Sequence, residues 1–313
     1  MSNLDLNDHG KYQVLSDASS ENSMVQNDTQ DQSKIVIAHR GYSAKQPENT
    51  LAAFREAANA GVKHIETDVR LTKDEVVCIS HDRSLKRMYG VDTYTFDVDY
   101  ERENGHFRTL REPYEPLPTL QTFLKELLKY PGVQLYIDVK PDLDIFIIQR
   151  MVDTMLDINL DLKFWEDKVI FCIWSRRFLP ACDKYAPRIK ICHLGFNFSY
   201  AQQYFVMHPR VIGVSIAVAS LLHPSSQDFI DMVHALNKKV FAWSVNTTAA
   251  FYLSLKRDCD GVITDDPVVG KALCNGPILT RNWYWFDYKE WVLLVFGFIR
   301  VNIIYYIIRN LFL

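Results

Sequence analysis

Two histidines, three carboxylates and two cations fall at or beside the ends of short apolar runs. His39-Arg40-Gly41 closes the run KIVIAH (34–39). Glu66 and Asp68 lie two apart in KHIETDVRL (63–71), and Asp138 and Lys140 lie two apart in VQLYIDVK (133–140). An interval of two puts both side chains on one face of a strand. EVVCISH (75–81) leads into His81-Asp82, and KKVFAWSV (238–245) ends around Trp243-Ser244-Val245-Asn246. Each feature alone is ordinary, because strand-end carboxylates are commonly solvated and a lone histidine is commonly structural. Five of them at the same end of successive runs make a candidate site. Glu66, Asp68 and Asp138 offer hard oxygen ligands with no cysteine among them, which suits Mg²⁺ or Ca²⁺ rather than zinc. Arg40 and Lys140 suit the oxygens of a phosphate. His39 and His81 titrate near neutrality, as a general base and a general acid must. Together they describe metal-assisted cleavage of a phosphodiester.

The elements that must position these groups alternate. Besides the runs above, strand-like segments occupy 168–174, 188–194, 211–217 and 260–265, with helical spacing at 49–61, 119–130 and 228–238. Strand–helix–strand order predicts a parallel sheet with covered faces. The link from 71 to 75 is too short for a parallel crossover, so 75–81 must return antiparallel as a hairpin. If Lys73 and Asp74 form a two-residue turn, Glu66 falls opposite His81. Eight parallel strands remain, the count of a closed (β/α)8 TIM barrel, an α/β fold whose functional groups gather at the C-terminal strand ends. Residues 83–118, charged, aromatic and proline-bearing, read as an insertion over one face.

The 313 residues carry 48% hydrophobic and 23% charged side chains and a formal net charge of -3, so no basic field invites a nucleic acid. Six scattered cysteines without metal spacing read as reduced core residues. Residues 1–33 are polar, lack arginine and lack a hydrophobic period, which predicts a disordered segment and a poor mitochondrial presequence.

The other end, 278–313, reads as a membrane-anchoring segment. Trp291–Leu313 is long enough for a bilayer core of roughly 30 Å. Arg300 near its middle would cost about 2.5–3.5 kcal/mol on insertion scales, so spanning and lying on the surface both stay open. Trp283, Tyr284, Trp285 and Trp291 would form an aromatic belt, and Arg309 could snorkel. A tail of this kind is inserted after synthesis. The catalytic domain is therefore expected in the cytosol, on endoplasmic reticulum, mitochondrion or lipid droplet.

HRGYSAKQPENT followed by IETDVRLTKDEVVCISHD resembles the signature of the glycerophosphodiester phosphodiesterase family, and DVK, WSVN and GVITDDP follow in that family's order. The resemblance covers about residues 34–274. DLKFWED, ITDDPVVGKALCNG and the apolar tail are similar to a fungal branch of it, the phospholipases C specific for phosphatidylglycerol. It implies a (β/α)8 barrel with His39 and His81 as the acid–base pair and Glu66, Asp68 and Asp138 as ligands of a divalent cation, Mg²⁺ before Ca²⁺. It further implies Arg40 and Lys140 on the phosphate and Trp243 against substrate. Glu48 and Asn49 match the PEN element and would support the His39 loop. Soluble relatives usually carry glutamate at the position of Asp138, one methylene longer, which puts the metal's placement in doubt. Some related toxins also use aspartate there.

The expected reaction is attack by a substrate glycerol 2-hydroxyl on phosphorus. On phosphatidylglycerol this releases diacylglycerol and leaves a glycerol phosphate. Met88, Tyr89, Tyr94 and Phe96 could then dip into the lipid interface. The alternative is hydrolysis of soluble deacylated diesters such as glycerophosphocholine. A third reading, a non-catalytic lipid-binding barrel, has only the Asp138 departure in its favour. No protein partner is implied.

Overall fold

A computed structural model describes residues 33–103, 106–276 and 288–312, with the side chains at 302 and 304–312 outside the described set. Nine strands form one sheet: β1 (Ile35–Ala38), β2 (His64–Leu71), β3 (Val77–Ile79), β4 (Gln134–Val139), β5 (Val169–Ile173), β6 (Lys190–Gly195), β7 (Val211–Ala217), β8 (Lys239–Trp243) and β9 (Gly261–Thr264). Strand order runs β1-β9-β8-β7-β6-β5-β4-β2, and β1 pairs with β2 to close a ring of eight parallel strands. β3 lies antiparallel on the far end of β2, outside the ring. This is a (β/α)8 barrel.

Strand alternation sorts the residues into two environments. Ile37, Tyr136, Ile170, Cys172, Cys192, Leu194, Phe241 and Ile263 point inward and form the barrel's own core. Their outward neighbours, such as Ile65, Val69, Leu135, Ile137 and Val139, pack under the surrounding helices. Glu66, Asp68 and Asp138 share the inward parity. The parallel register of β2 and β4 sets Glu66 beside Tyr136 and Asp68 beside Asp138. Thr50 caps the helix Leu51–Asn59 by accepting from Ala53 N, and Gly61, at φ 71°, lets the chain turn back to β2.

The β2–β3 hairpin differs from expectation. Val69 pairs with Ile79, Arg70 with Cys78 and Leu71 with Val77, and Thr72 N donates to Val76 O. The loop is therefore three residues, Lys73-Asp74-Glu75, with Glu75 at φ 62° in the left-handed region, as three-residue hairpins require. The register slips by one, Ser80 N bonds Asp68 O, and Glu66 is not opposite His81.

The insertion builds a small core of its own from Leu85, Tyr89, Val98, Phe107 and Leu117 over Cys78. Tyr89 is buried there, which removes it from any lipid-facing role; Tyr94 and Phe96 stack at 5.2 Å and are 50% and 56% exposed. The helix Tyr288–Phe312 packs on the loops that follow β7 and β8. Leu294 is buried among Val218, Leu221 and Ala250, and Glu290 Oε2 accepts from Ala249 N at 2.9 Å. Val292, Leu293, Phe296, Ile299 and Ile303 stay exposed. Among the described residues no helix is long and apolar enough to cross a membrane. The transmembrane reading therefore gains no support; Lys289, Glu290 and Arg300 interrupt the described part, and one face is spent on the barrel. Side chains at 302 and 304–313, the residues of the expected aromatic belt at 283–285, and all but the last residue of the segment 1–33 expected to be disordered lie outside the described residues.

Candidate active site

The site begins with a backbone turn. Arg40 and Gly41 follow β1 at φ 55° and 78°, so the chain bends sharply as it leaves the strand. A Cβ at Gly41 would stand 2.7 Å from the Ala53 backbone, so only glycine fits there. The turn aims Arg40 N at Glu66 Oε2, at 2.8 Å. Asn49, also left-handed at φ 58°, closes the loop by donating N–H to Arg40 O. Its amide then serves β2: Nδ2 donates to Asp68 Oδ2 at 2.8 Å, and Oδ1 accepts from Thr67 Oγ1 and Asp68 N. Asn49 thus orients a carboxylate of the site as well as the His39 loop. Glu48 accepts from Arg40 Nη1 at 2.8 Å and fixes that guanidinium, whose Nε lies 3.3 Å from Asp68 Oδ2.

Glu66, Asp68 and Asp138 bring ligand atoms within 4.8 Å of one another, all buried. Burial, with Asp68 adding to it, pushes the Glu66 carboxyl up to about 8. Burial also raises Asp138, against the pull of Lys140. At Asp68 burial works upward too, but Lys140 and Arg40 outweigh it and hold the group down. Lys140 Nζ stands 2.6 Å from both Asp68 Oδ1 and Asp138 Oδ2. Three carboxylates set side by side repel one another in a dry cluster when ionised. A divalent cation fits this donor set because it relieves that repulsion.

The histidines flank this cluster, each on a carboxylate. His39 Nδ1 lies 2.6 Å from Asp265 Oδ1. Burial pulls its pKa down, but the Asp265 bond and the charge of Glu66 carry it above the ordinary value. His81 Nδ1 lies 2.8 Å from Asp82 Oδ1. Here burial lowers the pKa, with Lys140 and Arg40 opposing Asp68 and Asp82, and the net direction is down. A pair pushed in opposite directions is the usual mark of an acid and a base.

Several residues of the site were assigned no role from the sequence. Asn246, beyond β8, donates Nδ2 to Asp265 Oδ2 at 2.7 Å and accepts from Asp265 N at 2.9 Å, so it sets the carboxylate that sets His39. Arg70 donates twice to the His81 carbonyl, at 3.2 and 2.9 Å, and pairs with Asp142. Arg87, from the insertion, joins Asp82 at 2.5 Å to Glu48 at 2.6 Å. Trp174, after β5, donates Nε1 to Asp138 Oδ1 at 2.8 Å, which orients the shorter carboxylate. Its ring meets Trp243 edge-on at 5.3 Å, forming an aromatic wall over the barrel mouth. Trp243 Nε1 is held by Ser215 O.

A model described as the glycerophosphoryl diester phosphodiesterase family matches residues 39–269. A glycerophosphodiester phosphodiesterase of Caldanaerobacter subterraneus is 29% identical over 243 residues, 74% of this chain and 94% of that protein. A lysophospholipase D of Rattus norvegicus is 35% identical over 118 residues, 36% of this chain and 38% of that protein. A solved phosphodiesterase of Oleispira antarctica, in complex with the product sn-glycerol-3-phosphate, superposes with a TM-score of 0.67 at 22% identity, covering 78% of this chain and 98% of that one. That last likeness shows the fold.

Proposed function

The chain belongs to the glycerophosphoryl diester phosphodiesterase family, and on that premise we propose that this phosphoric diester hydrolase acts on glycerophosphodiesters without acyl chains, such as glycerophosphocholine or glycerophosphoglycerol. The observation that carries the reading is the buried triad Glu66, Asp68 and Asp138 set among Arg40, Lys140, His39 and His81. The triad would hold the divalent cation, Mg²⁺ before Ca²⁺, which supplies Lewis-acid polarisation of the phosphate when bound. Arg40, and Lys140 once released from the carboxylates, hold phosphate oxygens and meet the charge that builds on them. The substrate's glycerol 2-hydroxyl attacks phosphorus while one histidine takes its proton. The other histidine gives a proton to the departing alcohol oxygen, and water then opens the cyclic glycerol phosphate. Asp265 and Asp82 hold the two imidazoles in orientation, and the Trp174–Trp243 wall packs against the glycerol carbons.

Phosphatidylglycerol is a second reading, favoured by the apolar residues that the helix Tyr288–Phe312 leaves exposed beside the loops following β7 and β8. In that reading the helix rests on a membrane surface and the leaving group is diacylglycerol. One assay separates the two: glycerophosphoglycerol and glycerophosphocholine beside phosphatidylglycerol vesicles, each with and without EDTA. Metal-dependent glycerol phosphate from the soluble diesters supports the first reading. Diacylglycerol from the vesicles alone replaces it with the second.

A further inference from the structure

Beyond His81 the site continues into a recess of about 560 Å³, within the usual size of a ligand pocket. Its wall carries four cations, Arg70, Arg83, Lys86 and Arg87, against one carboxylate, Asp82. Three of the four, Arg83, Lys86 and Arg87, come from the insertion, so its selectivity is separable from the barrel's chemistry. The carboxylates around it are already engaged. Asp82 is shared between His81 and Arg87, whose guanidinium Glu48 also holds, and Asp142 accepts from both Arg70 and Arg83, one carboxylate for two guanidiniums. Among the described residues Lys86 is matched by Asp92, at 2.9 Å between side chains 68% and 77% exposed, a pair that solvent weakens and a ligand can displace.

We propose that this recess is a subsite for an anionic group on the second arm of the diester, and that the enzyme prefers glycerophosphodiesters whose alcohol bears a further phosphate. The inference rests on the reading above. A phosphate seated between Arg40 and Lys140 has two arms. One meets the Trp174–Trp243 wall, and the other passes His81 into the recess. There the guanidinium fork of Arg83, whose carboxylate partner Asp142 is shared with Arg70, matches phosphate oxygens in a way no ammonium can use, with Lys86 beside it. A quaternary ammonium needs an aromatic cage or a free carboxylate. The wall offers it Tyr94 alone and no unengaged carboxylate.

The test is kcat/KM for a charge series at fixed metal: glycerophosphocholine, glycerophosphoinositol and glycerophosphoinositol 4-phosphate. The value is expected to rise along the series, by about tenfold in the last step at low salt, and the step is expected to shrink as salt is added. Arg83→Glu with Lys86→Glu is expected to invert the order, and the milder Arg83→Gln with Lys86→Gln to flatten it. A wild-type order that is flat or favours choline overturns the subsite, as does a rising order that both double variants keep. Failure on all three diesters removes the parent reading and the subsite with it.

Discussion

The two sides of the barrel share one backbone plan and bury opposite kinds of residue. On the β2 and β4 side the inward positions hold Glu66, Asp68 and Asp138, with Lys140 following β4; on the β6 to β9 side they hold Cys192, Leu194, Ser215, Phe241 and Ile263. Both sets are buried. The apolar side gains from burial, at roughly 25 cal/mol per Å² of surface removed from water. The charged side loses, because like charges are set side by side where β2 meets β4. Stability is therefore gained on one side, and the candidate site lies on the other. The charged side persists because arginine, lysine and asparagine clamp it, and because a cation can complete it.

Substitutions can break that division. His39→Ala should lower turnover by roughly 10²- to 10⁴-fold and leave thermal unfolding nearly unchanged. Phe241→Ala should do the reverse, costing about 3–5 kcal/mol of stability through the cavity left in the barrel core. Equal damage to both properties from either substitution would erase the distinction.

Asp265→Asn probes a place where the late strands reach the chemistry. It keeps the shape but loses the carboxylate that orients His39, so kcat should fall about 10- to 100-fold with an unchanged melting temperature. A loss of stability matching the loss of activity would make Asp265 structural.

The charged side should also show its cost in the metal-free protein. A carboxyl whose folded pKa is raised, as Glu66's is from 4.5 to about 8, favours the fold below its unfolded value and loses that contribution as pH rises through the folded one. In EDTA the melting temperature should therefore fall between about pH 5 and 8. Glu66→Gln should flatten that fall, and Mg²⁺ should oppose it in the wild type. A melting temperature that rises over this range in EDTA would contradict the charge assignment.

The smallest effect lies outside the site. Glu126 bonds Arg55 through both oxygens, which, with Lys129, brings its carboxyl down to about 2. A depressed carboxylate stabilises above its unfolded value of 4.5 and loses that as pH falls towards 2. Glu126→Gln should cost no more than about 1 kcal/mol at neutral pH, since Arg55 is well solvated, and activity should not change.

Much of this was legible in the sequence. All nine strand-like runs are strands, and the rule against short parallel crossovers selected the one that leaves the ring. That Glu66 shares a face with Asp68, and Asp138 with Lys140, follows from spacing alone; that Asp68 and Asp138 stand side by side on the inner face shows only in the register of β2 and β4. The hairpin register was not legible, because whether the turn holds two residues or three depends on Glu75 taking a left-handed backbone that its side chain does not announce. Asp265 falls at the end of a strand-like run and inside the GVITDDP landmark, neither of which gives it a role. It lies 226 positions from His39, and the two meet only because β1 pairs with β9 and puts Ala38 beside Thr264. Trp174, Arg70 and Arg87 reach the site across strands or from the insertion, distances that no local pattern encodes. The tail's apolarity was plain, but the packing of Leu294 and Glu290 onto the β7 and β8 loops was not.

The most direct test is glycerol phosphate release from glycerophosphoglycerol by metal-stripped protein, before and after Mg²⁺ is added, for the wild type and for Asp68→Asn and His39→Ala. No release is expected before addition, restored release in the wild type, and none above background in either variant. Release that ignores EDTA, or that survives Asp68→Asn undiminished, would contradict this expectation.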